Sequence, residues 1–122
     1  MSRRSCEEGS AITVLTGPQV AQLVVEAGFP EQDRVTMVAI AKAESGWRID
    51  AVNTANRNGT VDRGLFQINS VHGYDPARLL ADPRFNTECA KKIYDRQGLR
   101  AWSTHNADKH LPYMQESAQA AL

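Results

Sequence analysis

At 122 residues the chain is long enough to bury one hydrophobic core and too short for two. Hydrophobic residues at 42% and charged residues at 23% place it among globular chains and argue against disorder. Fourteen basic and fourteen acidic residues cancel, so no net charge draws it to nucleic acid or a membrane surface, and recognition falls to shape and hydrogen bonding.

Residues 1–16 read as a polar tail that runs into a short extended piece, and 17–122 as the folded domain. The opening MSRRSCEEGSAITVLTG has basic residues but only AITVL as an apolar run, too short for a signal-peptide core. No window reaches the length of a membrane span. Either export is arranged from outside this chain, or the chain is one segment of a larger protein.

Thr16-Gly17-Pro18 predicts a helix start with Pro18 at the first helical position, where a missing N–H costs nothing. Val20, Leu23, Val24 and Ala27 then form an apolar stripe, closed by Gly28. Pro30 opens a second helix whose Val35, Val38, Ile40 and Ala41 make it apolar nearly all round, the mark of a centrally buried element. Glu44 rides near its end, directly before Ser45-Gly46, which puts a carboxyl at the lip of a cleft on a rigid mounting.

From Gly46 to Thr60 the composition turns to Asn, Arg, Thr and Gly, with Asn58-Gly59 as a turn signal, predicting a loop or a small ragged sheet. Asp62 comes just before GLFQIN, where Ile68 anchors and its neighbours Gln67 and Asn69 share the opposite face. Asp75-Pro76 and Asp82-Pro83 predict a one-turn helix near 77–80 and a longer one from about Arg84. Phe85, Cys89, Ile93 and Tyr94 stripe the longer one, and Gly98 ends it. After Trp102 comes a polar run, Ser103-Thr104-His105-Asn106, and a last helix from Leu111-Pro112 with Met114, Ala118 and Ala121 as a weak stripe.

Two carboxylates in different surroundings suit acid-base work on a polar polymer. Glycoside hydrolysis needs one carboxylic acid to protonate the leaving oxygen and usually a second carboxylate to attack, activate water or stabilise positive charge. The acid needs a weakly solvated site, and its partner a set of hydrogen-bond donors. Glu44 leaves an apolar helix and precedes Trp47, whereas Asp62 sits among Asn56, Asn58, Thr60 and Asn69. Singly, a Glu at a helix end is ordinarily a solvated residue, and an Asp before a glycine turn a local turn former. The arrangement is the signal.

Competing chemistries fare worse. Cys6 and Cys89 are too few for a disulfide framework, although a bridge between them stays open, and Cys89 on an apolar stripe reads as an inert thiol. His72, His105 and His110 lack metal-ligand spacing, so no metal site and no cofactor is expected. Trp47 and Trp102 are able to stack on sugar faces, and one of the two is expected in the core.

AKAESGW followed by NRNGTVDRGLFQINS resembles the active-site region of the lysozyme superfamily. The first piece is similar to the Glu-Ser motif of lytic transglycosylases and animal-type lysozymes, and the second to the asparagine-rich turn, Asp and Gln-Ile-Asn run of the latter. DPRFNTECAKKIYDRQG and AWSTHNA resemble the later helix and closing motif of transglycosylase domains. The likeness runs in consistent order from about Pro30 to Tyr113, and in flavour it is nearest to single-domain phage wall-lytic modules.

That resemblance implies a mainly α, α+β lysozyme-like fold: a helical domain with a small irregular β-hairpin region beside the cleft. It implies a peptidoglycan-degrading glycosidase that cuts the β-1,4 bond between N-acetylmuramic acid and N-acetylglucosamine, with Glu44 as general acid and Asp62 as second carboxylate. The mechanism is that of lysozymes themselves and comes with the resemblance. Ser45, Asn56, Gln67 and Asn69 would support the carboxylates or line the sugar cleft, and His105 and Asn106 stand at the Tyr-Asn of the closing motif. His105 in place of Tyr removes an aromatic hydroxyl expected near the acid.

The alternatives are a lytic transglycosylase, which uses Glu44 alone and yields 1,6-anhydromuramic ends, and a non-catalytic glycan-binding or phage structural module. The implied partner is the glycan strand of the bacterial cell wall, met as a monomer or as a domain of a larger protein, whether phage-borne or exported. Nucleic acid and membrane are not implied.

Overall fold

A computed structural model describes residues 13–122. Cys6 lies outside the described residues, as does any Cys6–Cys89 bridge. The extended piece is tied down: Val14 pairs with Arg48 in an antiparallel bridge, flanked by Leu15 N–H to Trp47 O at 2.9 Å and Ile49 N–H to Thr13 O at 2.8 Å.

Helix α1, Gly17–Glu26, begins one residue before Pro18, because Thr16 caps it reciprocally with Gln19. Val20 and Val24 are fully buried, as their stripe predicts. Helix α2, Glu31–Ser45, is the axis of the domain, with Met37, Val38, Ala39, Ile40 and Ala41 all at 0% exposure. A run buried on every side is possible only if other elements surround it, and each large aliphatic there contributes roughly 1.5–3 kcal/mol. Gly46 stops the helix in the left-handed region at φ +65, its N–H closing on Lys42 O.

Three two-residue strands follow, β1 Val52–Asn53, β2 Asp62–Arg63 and β3 Ile68–Asn69, antiparallel in that order. The register sets Asp62 opposite Asn53 on one side and Asn69 on the other. A 3-10 turn, Ser70–His72, leads to α3, Pro76–Ala81, and α4, Pro83–Gln97, capped by Asp75 and Asp82 as predicted. Beyond Gly98 come a 3-10 turn at Gly98–Ala101, the short α5 at Ser103–Asn106, a 3-10 turn at Leu111–Tyr113 and α6 at Met114–Ala120. Helix α2 packs against α1, α5 and α6. The weak stripe expected on the last helix is displaced: Ala118 and Ala121 are exposed, and Ser117 is the residue turned inward.

A buried side chain of α4 clamps the sheet to the helices. Asn86 of α4, fully buried, accepts from Phe66 N–H at 2.9 Å and donates to Arg63 O at 3.0 Å and Leu79 O at 3.1 Å. Gly64 is required there: a Cβ would stand 2.2 Å from Asn86 Nδ2 and 2.5 Å from Leu79 O, on a backbone at φ +83.

Candidate active site

The last turn of α2 places Glu44. Ser45 is buried, and its hydroxyl donates to Ala41 O at 3.0 Å and Leu65 O at 2.7 Å, which pins the helix end to the turn after β2. Trp47, in the left-handed region at φ +66, sends its indole N–H back to Val38 O at 3.1 Å. Between these fastenings Glu44 is half-buried, its Oε2 accepting the Thr104 hydroxyl at 2.8 Å. Burial pushes the Glu44 carboxyl above the usual carboxylate range. The Thr104 hydroxyl opposes this, the negative charge of Asp62 adds to it, and the Thr104 amide and Lys109 oppose it further.

Asp62 is surrounded differently. Its Oδ2 accepts from Asn53 Nδ2 and Asn56 Nδ2, both at 3.1 Å, and its Oδ1 from Asn69 Nδ2 at 2.9 Å. Three amide donors on one side chain match the acceptor-only character of a carboxylate. Two of these amides are themselves held by Thr60, whose Oγ1 accepts from Asn56 at 3.2 Å and from Asn69 at 3.0 Å.

Glu44 and Asp62 face one cleft of about 270 Å³, lined also by Asn56, Gln67, Asn69, His72 and Trp102. Gln67 is committed to the scaffold. At φ +51, its amide donates to Ala51 O at 3.1 Å and Gly64 O at 3.0 Å, holding the turn that carries the floor.

Of the residues the sequence singled out, Glu44, Asp62, Asn56, Gln67 and Asn69 therefore meet, with Ser45 behind them as a support. His105 and Asn106 do not reach the cleft lining. The His105 ring lies 4.6 Å from that of His110, and Asn106 is exposed and donates to Arg100 O at 2.9 Å. Four-residue α5 makes the difference: one position earlier, Thr104 supplies the hydroxyl that His105 lacks. Asn53 was also overlooked, since only the register sets it beside Asp62. Both tryptophans are core, Trp47 at 6% and Trp102 at 5% exposure, and Trp102 also lines the cleft.

A half-buried carboxyl sharing one cleft with a second carboxyl held by three amides, on a helical body with a tiny sheet, is an arrangement that can do acid-base chemistry on a glycoside. Residues 21–104 match the family model described as a lysozyme-like domain. Lysozyme P of Drosophila melanogaster is 35% identical over 100 residues, 70% of this chain and 71% of that one. Lysozyme of Galleria mellonella is 34% identical over 110 residues, 77% of this chain and 91% of that one. The crystal structure of lysozyme from Equus asinus has the same fold, with a TM-score of 0.58 at 23% identity over 74% of this chain and 84% of that one. The chain belongs to the lysozyme-like family and is a lysozyme-type glycosidase.

Proposed function

We propose that the protein is a muramidase that hydrolyses the β-1,4 bond between N-acetylmuramic acid and N-acetylglucosamine in peptidoglycan, with residues 17–122 as its catalytic domain. The observation that carries this is the asymmetry of the two carboxyls across one cleft: burial favours the neutral form of Glu44, while three amides converge on Asp62. Glu44 gives its proton to the glycosidic oxygen as the bond to the anomeric carbon breaks. Asp62 meets the positive charge that develops on the sugar ring, by attack or by electrostatics. Water then adds at the anomeric carbon, and Glu44, now a carboxylate, takes the water's proton.

Asn56 and Asn69 serve as the holders of Asp62, and Gln67 as the brace of the cleft floor. The place of action would be the bacterial cell wall, reached as a phage lysin or virion component or after export, by a monomer or a domain of a larger protein.

The second reading, a lytic transglycosylase working through Glu44 alone, is favoured by the transglycosylase-like segments DPRFNTECAKKIYDRQG and AWSTHNA. Against it stands the care taken over Asp62, which a single-glutamate mechanism does not require. Mass spectrometry of the fragments released from purified cell walls separates the two. Reducing muramic ends are expected, and 1,6-anhydro ends would reverse the assignment. Glu44→Gln is expected to lower wall lysis at least ~10²-fold, and full lysis by that variant would remove the acid role altogether.

A further inference from the structure

The two oxygens of the Glu44 carboxyl are not equivalent. Oε2 accepts the Thr104 hydroxyl at 2.8 Å, whereas no side chain among the described residues donates to Oε1. We propose that Thr104 is the positioning residue of the acid: its hydroxyl selects the rotamer of Glu44 and occupies Oε2, leaving Oε1 as the oxygen that presents the proton to the glycosidic bond. This rests on the reading of Glu44 as general acid.

The geometry around Thr104 supports that task. A threonine has a stiff χ1, and here its backbone is fixed from both sides. The preceding Trp102 is anchored by its indole N–H to Phe66 O at 3.1 Å, and the Thr104 carbonyl accepts Lys109 N–H at 2.8 Å. Behind it the His105 ring packs on His110. A hydroxyl so mounted can hold one orientation of a flexible glutamate against the open cleft, which is what a transferable proton needs.

The charged and titratable groups that face Glu44 from neighbouring elements are Asp62 of β2, Lys109 beyond α5 and, across the cleft, His72. Asp62 favours the neutral acid, and Lys109 the carboxylate. Thr104 favours the carboxylate too, by direct contact. Its loss therefore moves the acid's titration further upward. Since an acid must be protonated to work, the basic limb of the activity profile follows it.

The test is the pH dependence of kcat and KM on purified peptidoglycan for Thr104→Val, Thr104→Ser and Glu44→Gln beside the parent enzyme. Thr104→Val is expected to lose roughly 10-fold in kcat with little change in KM, and to carry its basic limb to higher pH. Thr104→Ser, which keeps the hydroxyl, is expected to restore both. A basic limb left at the parental position in Thr104→Val overturns the proposal. Should that variant melt well below the parent, the same profile is read on Thr104→Ala. Activity in Glu44→Gln would instead sink the acid assignment itself. An inactive Glu44→Gln with an unmoved limb sinks only the role given to Thr104.

Discussion

The indole of Trp102 donates to the carbonyl of Phe66 at 3.1 Å, and this bond joins a residue that lines the cleft to the turn between β2 and β3. The two rings also meet edge to face, with centroids 6.3 Å apart. Trp102→Phe keeps most of the apolar volume but leaves the buried Phe66 carbonyl without its donor. An unsatisfied buried acceptor costs about 1–3 kcal/mol, so the variant should melt several degrees lower. Because Trp102 immediately precedes the segment that bears Thr104, activity should fall with it. Thermal unfolding and wall lysis measured together check both.

Glu44 should weaken the fold near neutral pH. Its carboxyl titrates above the usual range because burial disfavours the charge. Between the ordinary glutamate pKa, about 4.3, and the raised native value, the native state binds more protons than the unfolded one, and stability falls as pH rises through that window. Glu44→Gln, a neutral isostere, removes the effect. The variant should be more stable than the parent at pH 7, with the difference fading once the pH is below about 4. Denaturant midpoints at several pH values measure this. A variant less stable at pH 7 would contradict a Glu44 carboxyl held in its neutral form by burial.

Asp62→Asn sets an amide among three amide donors, so one of the contacts from Asn53, Asn56 or Asn69 must fail or turn. For a hydrolase the loss of charge opposite the developing cation should reduce kcat by roughly 10²-fold or more, with KM little changed. A drop of only a few-fold would favour the transglycosylase reading.

Much of this was legible in the chain. Helices α1, α2 and α4 follow apolar spacing and their Pro and Asp starts, because those signals are local and the packing reinforces them. Where the chain misled, longer-range geometry decided. A two-residue Asn58-Gly59 turn would set Ala55 opposite Asp62, yet the sheet sets Asn53 there. Spacing alone could not place Asn53 on the carboxylate, because the loop is longer than the turn signal suggests. In the same way Ser103–Asn106 reads as a polar run, and only its single helical turn directs Thr104, not His105, to Glu44. Ser117 defeated the stripe of α6 because packing, not hydropathy, chose the inward face.

Asn86 is the residue on which the site's shape should depend most without touching a substrate. Its single amide serves three backbone groups, one from β2, one from the turn that follows and one from α3, and it is fully buried. Asn86→Ala leaves Phe66 N–H, Arg63 O and Leu79 O without this partner and opens a void against Gly64. Arg63 O keeps its ladder bond with Ile68, whereas Phe66 N–H and Leu79 O are orphaned at about 1–3 kcal/mol each, so the total should come to about 3 kcal/mol or more, a large fraction of a small domain's stability. Asn86→Asp tests the chemistry rather than the volume, because it keeps the acceptor for Phe66 N–H but turns an oxygen toward two carbonyls. It should therefore be destabilised to a similar degree. A chemical denaturation series reads both. If Asn86→Asp matched the parent, the donor half of the clamp would carry no weight, and the seating of Asp62 against Glu44 would have to come from α2 and the Ser45 contact alone.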